Sequence, residues 1–232
     1  MRLNKRRAFV FKNISVVWWI IILTSIVSIA VFILSGVYCD NEKCIVFDYT
    51  ALKPSSILGG NYLWTLITHM FVHGGFGHLF INMFVLFSLG GLCEKIIGQK
   101  RFLWFYLISG VFAGALSVIL SGYFGDGIWG RIFGSPDVFM VGASGAIFAI
   151  AGLYVILLPR LRFSIIFFPF FSLPAYIMIP AVLFIFWGLS AVFNWPIGNV
   201  AHFGGFLAGL IYGIYLKGKY PGKVNRLQRM FR

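Results

Sequence analysis

The chain has 232 residues, a formal net charge of +13 and a hydrophobic fraction of 60%, and only 11% of its residues are charged. Soluble domains carry about 25% charged residues, so the polar groups here are too few to cover a water-facing globule or to keep a disordered chain solvated. The composition places the chain in a lipid bilayer.

A charge of +13 could suit nucleic acid, but its placement argues against that partner. The first basic group (Arg2 to Lys12) precedes the first apolar run. Lys95, Lys100 and Arg101 separate the second and third runs, Arg160 and Arg162 the fourth and fifth, and the remaining group runs from Lys217 to Arg232. Only Lys43, Lys53 and Arg131 fall in the alternate loops, which hold five of the six acids (Asp40, Glu42, Asp48, Asp126 and Asp137). Basic loops on one side of the membrane are the cytoplasmic ones. Both termini are therefore expected in the cytoplasm, with an even number of spans. Membrane lipid is an expected partner, and the basic tails should touch anionic headgroups.

A transmembrane helix needs about 20 mostly apolar residues. After a basic segment, 1–13, the first span is expected from Ile14 to Val37. Its flank is like that of a signal peptide, but the run is too long and no small-residue cleavage site follows. Cys39 and Cys44 share the next loop, where a small-loop disulfide is permitted but not required by the spacing. Residues 38–76 are too apolar for an ordinary outer loop, and Tyr62 to Thr68 read as interfacial. The second and third spans are expected at Gly77 to Ile97 and Phe102 to Tyr123, with Cys93 reduced near the cytoplasmic side. Residues 124–141 are glycine-rich and expected to be irregular, so at membrane depth they must be buried in protein or line a wet cavity. A short fourth span follows from Ser144 to Leu158, a fifth from Pro174 to Phe193 and a sixth from Val200 to Leu216. The expected architecture is an all-α polytopic membrane domain over 14–216 with a basic tail, 217–232.

Polar residues inside such spans mark function. Four stand out: His78, Asn82, Ser144 and His202. Counting helical rise from the basic residue that closes each span puts Ser144 about 24 Å, His202 about 22 Å, His78 about 25 Å and Asn82 about 20 Å from the cytoplasmic end. All four share one layer just below the outer surface of a hydrocarbon core about 30 Å thick. A serine hydroxyl becomes nucleophilic when a neutral imidazole takes its proton, so Ser144 and His202 can act as a dyad if the fourth and sixth spans touch. Gly145 and Gly152 on one span, and Gly205, Gly209 and Gly213 on the other, allow close approach. Ser144 also begins its helix, where free backbone N–H groups can stabilise an oxyanion. His78 and Asn82, at i and i+4, can add side-chain N–H groups to the same site. Phe148, one turn after Ser144, can pack on the His202 ring. No acid is expected beside His202, so a dyad is favoured over a triad. Zinc chemistry lacks its H-E-x-x-H pattern, and the loose spacing of His69, His73 and His78, without a Cys or acidic ligand, does not suggest a metal site. His69 and His73 are expected to fix the first loop by hydrogen bonding.

The segments His69-Met-Phe-Val-His73-Gly-Gly-Phe-Gly-His78-Leu-Phe-Ile-Asn82, Gly142-Ala-Ser144-Gly145 and Ala201-His202-Phe-Gly-Gly205-Phe-Leu-Ala-Gly209 resemble the rhomboid intramembrane serine proteases. The resemblance covers about residues 62–216. It implies a six-helix rhomboid-like bundle with cytoplasmic termini, a nucleophile at Ser144, a base at His202 and an oxyanion site from His78, Asn82 and the Ser144 backbone N–H. It implies Gly142 in the loop leading to the fourth helix, Phe148 against His202, and transmembrane protein substrates cut near the outer face without cofactor or metal. The expected location is the plasma membrane of a prokaryote. Two positions depart from the family. Trp64–Thr65 stands where the first loop often has Trp-Arg, and Phe148 stands where Tyr is frequent. A non-catalytic rhomboid-like binder of transmembrane clients is the alternative. A transporter or channel is disfavoured, for want of inverted repeats and a charged pathway.

Overall fold

The computed structural model describes residues 14–39, 44–165, 168–195 and 197–231. The basic segment 1–13 lies outside the described residues. The long helix α1 (Val16–Tyr38) is followed by three short helices, α2 (Ile45–Thr50), α3 (Pro54–Leu58) and α4 (Thr65–Thr68), and a 3₁₀ turn at His69–Phe71. Helices α5 (Phe76–Ile97) and α6 (Gln99–Phe124) come next. After a second 3₁₀ turn at Gly127–Trp129 and the short α7 (Gly130–Phe133) come α8 (Ser144–Leu157) and two strands, β1 (Arg162–Ile165) and β2 (Phe168–Pro174). The chain continues through α9 (Ala175–Phe193), α10 (Asn199–Lys219) and α11 (Pro221–Met230). Five helices (α1, α5, α6, α9 and α10) are long and apolar enough to cross a membrane, and α8 is a shorter apolar helix. Their ends fall within three residues of those expected.

The expectation of an all-α chain is corrected by the antiparallel hairpin β1–β2, in which Arg162 pairs with Pro174 and Ser164 with Ser172. Helix α8 cannot continue past Leu158 because Pro159 follows, and the strands that come after it include Phe163, Ile165, Phe168, Phe170 and Phe171, aromatic and β-branched types that suit strands. The tail 217–232 is also not featureless. Helix α10 runs on to Lys219, and Pro221 supplies the first turn of α11, where its missing N–H is harmless. The 124–141 segment, expected to be irregular, holds the short turns at 127–133 and is otherwise extended or turning.

Helix α8 sits at the centre, packed by α10, α6, α5 and α9. The contact with α10 brings backbone against backbone. A β-carbon on Gly205 would fall on the Gly145 carbonyl, and one on Gly209 on the Ala149 carbonyl. On the outside of this core, α1 is pinned to α5. Glu94 accepts hydrogen bonds from the Ser15 hydroxyl (2.7 Å) and the Val17 N–H (2.9 Å). A β-carbon on Gly90 would come within 2.9 Å of Val17. Cys39 and Cys44 are disulfide-bonded, and Cys93 is free and buried.

The outer loops are tied to one another above the core. Leu52 and Met140 exchange both backbone hydrogen bonds (3.0 and 2.7 Å), and the Ser55 N–H donates to the Pro136 carbonyl (2.9 Å). Lys53 pairs with Asp137 at 3.7 Å, and Phe47 packs on Phe139 with ring centroids 5.9 Å apart. With no Arg at position 65, the first loop is anchored by aromatic contacts. Trp64 donates its indole N–H to the Tyr49 carbonyl (2.9 Å), and Tyr49, Tyr62 and Trp64 pack together. Thr65 is buried and donates to the Tyr62 carbonyl at 2.8 Å.

Candidate active site

Ser144 is the first residue of α8, so the N–H groups of the first turn have no partner within the helix. His202 lies in the first turn of α10. Because the glycine contacts bring these two helices together, His202 Nε2 lies 2.7 Å from Ser144 Oγ, within hydrogen-bond distance. Phe148 stacks on the other side of the imidazole, with centroids 4.7 Å apart and planes inclined by 28°. The phenyl ring therefore restricts the imidazole to the plane that faces Ser144.

The turn that delivers Ser144 is held by the first loop. The His69 carbonyl accepts the Gly142 N–H at 2.9 Å, and His73 Nε2 accepts the Ala143 N–H at 3.4 Å. Gly142 has φ +122°, a conformation that L side chains rarely adopt, and a β-carbon there would lie 3.0 Å from the His78 ring and 3.7 Å from Ser144 Oγ. Gly145 faces Ala113 of α6, where a β-carbon would come within 2.9 Å. His69 Nδ1 donates to the Thr65 carbonyl (2.8 Å), which fixes that ring within the loop. The expected loop-fixing histidines thus also shape the backbone in front of Ser144.

Two cavities meet at the hydroxyl. One, of about 580 Å³, lies under the outer loops between Phe47, Gly75, Phe139 and Gly198. The other, of about 450 Å³, lies between α5 and α9 and is walled by Val85, Met178, Val182 and Phe186. Ser144, His202 and His78 line both. Asn82 is buried and lines the second, while its side-chain amide donates back to the His78 carbonyl at 2.9 Å. A carboxamide has two N–H bonds, so one remains for the cavity. The second cavity is almost wholly apolar where it faces α9, a surface suited to a hydrophobic chain. Among the described residues, no group of three or more His, Cys, Asp or Glu side chains could hold a metal ion.

All the sequence-derived candidates except Gly209 lie at or next to this cluster. Gly209 belongs to the α8–α10 contact one turn further along, and His69 both lines the outer cavity and holds the Gly142 N–H through its backbone carbonyl. Ser28 of α1 was not anticipated. Its hydroxyl donates to the Phe71 carbonyl (2.9 Å) and contacts His73 Nδ1 (3.0 Å), so it orients the ring that holds Ala143. A hydroxyl inside an otherwise apolar span was the available signal. Phe47 and Phe139 carried none, because one more phenylalanine in an aromatic-rich chain has no pattern to mark it.

Residues 60–219 match the rhomboid domain model. The chain belongs to the rhomboid family. Its rhomboid relatives include RHOMBOID-like protein 5 of Arabidopsis thaliana, 28% identical over 76% of this chain and 59% of that protein. Rhomboid protease GluP of Bacillus subtilis is 30% identical over 56% of this chain and 25% of its own length. Rhomboid protease GlpG of Haemophilus influenzae is 28% identical over 65% of this chain and 68% of its own length. The chain thus spans less than two thirds of the length of the first two of these rhomboids. Family and helix composition together make it a multi-pass integral membrane protein.

Proposed function

We propose that this rhomboid is an intramembrane serine endopeptidase that cuts transmembrane protein substrates near the outer membrane face. The observation that carries the reading is the 2.7 Å approach of His202 Nε2 to Ser144 Oγ at the junction of two cavities. In this reading α8 is a sixth crossing, short because it starts below the outer surface, and both termini are cytoplasmic, as the basic loops require. The membrane is the plasma membrane of a prokaryote. The basic segment 1–13 and the tail 217–232 flank the catalytic membrane domain 14–216.

The chemistry follows from the placement of atoms. His202 Nε2 takes the Ser144 proton as Oγ attacks the scissile carbonyl, forming a tetrahedral intermediate. The charge on its oxygen is met by the Ser144 N–H at the start of α8, by His78 and by the free N–H of Asn82. Removing one donor of this kind typically lowers kcat by about 10²–10³. His202 then returns the proton to the leaving amine, and the acyl group stays on Ser144. A water deprotonated by His202 releases it. The apolar cavity between α5 and α9 receives the substrate helix from the lipid side, and the outer cavity takes the residues that follow the cut. No metal or cofactor takes part.

The test is hydrolysis of a purified transmembrane substrate in liposomes. Wild type should cleave it and Ser144→Ala should not; equal rates would refute the assignment. The alternative, a non-catalytic binder of transmembrane clients, gives no reason for an imidazole within hydrogen-bond reach of a serine at a helix start.

A further inference from the structure

At the end of α10 opposite to His202, a groove of about 800 Å³ runs between α6 and α10 on the lipid-facing surface. Its floor is the stacked pair Phe105 and Tyr212, with centroids 4.8 Å apart. Ala208 leaves the depression, and Trp104, Ile108 and Ile211 stand exposed along its sides. Lys100 and Arg101 close one end of the groove, and Phe112 marks the other. At helical rise the distance from Lys100 to Phe112 is about 18 Å, close to the half-thickness of a hydrocarbon core of about 30 Å. The groove is therefore as long as one leaflet is deep.

Among the described residues the cations at its mouth pair with no carboxylate. Among the described residues the ion pair is Lys53 with Asp137, on the outer loops. Glu94, the nearest acid in sequence, is turned toward Ser15 and Val17. Arg101 lies over the Tyr220 ring (5.8 Å), as does Lys223 (5.5 Å), and Lys219 donates to the Tyr215 hydroxyl (2.7 Å). Aromatic faces orient these cations but do not neutralise them. A second cavity, of about 470 Å³, adjoins the first at Arg101 and adds Lys95 and Lys223 to the same cationic rim.

We infer that this groove is a binding site for one anionic glycerophospholipid. The phosphate sits between Lys100 and Arg101, close to the free N–H groups that begin the long helix α6, and one acyl chain lies along Trp104, Ile108 and Phe112. A soluble anion would use the cations but not the leaflet-length apolar wall, and a neutral lipid would use the wall but not the cations. The site is remote from Ser144 and does not depend on the protease reading.

The experiment is native mass spectrometry of the purified full chain, released from micelles containing equal amounts of phosphatidylglycerol and phosphatidylcholine of the same chains. One retained phosphatidylglycerol should outnumber retained phosphatidylcholine by at least tenfold. The double variant Lys100→Gln/Arg101→Gln should lose that preference, and Ala208→Phe, which fills the groove, should lower retention of both lipids. Melting in phosphatidylcholine alone reports whether each variant is folded, and the wild-type ratio decides the matter even if one is not. Equal retention of the two lipids by wild type would overturn the proposal. So would displacement of phosphatidylglycerol by equimolar glycerol 3-phosphate, which would mark a site for free anions. A dimer that dissociates on Ala208→Phe with no change in lipid count would assign the groove to a second copy and overturn it too.

Discussion

His73 accepts the backbone N–H of Ala143 at 3.4 Å, and so ties the first loop to the residue before the candidate nucleophile. Its tautomer follows from its neighbours. Ser28 has one hydroxyl proton and donates it to the Phe71 carbonyl, so Nδ1 of His73 must donate to Ser28 and Nε2 is left as the acceptor. Protonating Nε2 would turn the acceptor into a donor facing another donor. His73→Ala should therefore lower kcat by about tenfold to a hundredfold through misplacement of Ser144. His73→Asn, which can both donate and accept, should restore much of the loss. Steady-state kinetics of the two variants on one transmembrane substrate checks this.

The same loop should make stability sensitive to acid. Burial lowers the His73 pKa to about 3, with the neighbouring His78 charge adding to the effect, and burial lowers that of His69 to about 4. Both rings lie outside the membrane-spanning helices. Above their ordinary value of 6.5, folded and unfolded chains are alike in leaving them neutral. As pH falls below that value the unfolded chain takes up protons that the folded chain excludes, so folding weakens until the folded values are reached. The melting temperature should be flat from pH 8 to 7 and drop between about 6.5 and 4. The drop should be shallower in His73→Asn, measured by thermal scans in one detergent across that range.

Gly142 combines φ +122° with a β-carbon position 3.0 Å from the His78 ring. Gly142→Ala meets backbone strain of about 1–3 kcal/mol and pushes His78 away from the site. Activity should fall by about a hundredfold, while phosphonate probe labelling of Ser144 slows less than peptide cleavage. Parallel rates of labelling and cleavage test whether the oxyanion side or the nucleophile has been disturbed.

Phe148 restrains His202 by stacking alone. Phe148→Ala should reduce kcat by about tenfold or more with little change in melting temperature, and Phe148→Tyr should keep full stacking and near wild-type kcat. A kcat and KM comparison separates this positioning role from substrate binding, because a loss confined to KM would place Phe148 in the substrate groove instead.

Glu94 serves the fold. Glu94→Ala removes the carboxylate that accepts from the Ser15 hydroxyl and leaves the Val17 N–H only its longer bond to Ser15 Oγ (3.2 Å), at a cost of about 1.5–3 kcal/mol. The melting temperature should fall. Cysteine crosslinking of the α1–α5 contact at positions 17 and 90 should recover part of the loss.

The long helices were legible because a bilayer forces uninterrupted apolar runs, and Ser144, His202 and His78 were legible because polar groups in such runs are costly and rare. The hairpin was not. Residues 163–173 form a short apolar run, and periodicity does not separate a strand from a buried helix segment in such a run. The backbone tie between Leu52 and Met140 has no side-chain signature, so nothing in the sequence pointed to the joining of the two outer loops. The Cys39–Cys44 bond was one open possibility, since spacing alone does not decide it. The i, i+4 spacing puts Asn82 on the face of His78, and both line the cavity between α5 and α9, but the return of one N–H to the His78 carbonyl depends on rotamer choice. Helix α11 carries Val224 and Leu227 one turn apart. That signal was hidden by its basic residues, which read as a tail.

The central claim is that His202 activates Ser144 as a nucleophile, and covalent labelling tests it most directly. Wild type, Ser144→Ala and His202→Ala are incubated with a fluorophosphonate, and adducts are located by peptide mass spectrometry. The expected result is a single phosphonyl adduct on Ser144 of wild type, none on Ser144→Ala, and labelling slowed by at least a hundredfold in His202→Ala. Folded wild-type protein with no adduct on Ser144, or equal labelling rates with and without His202, would contradict it.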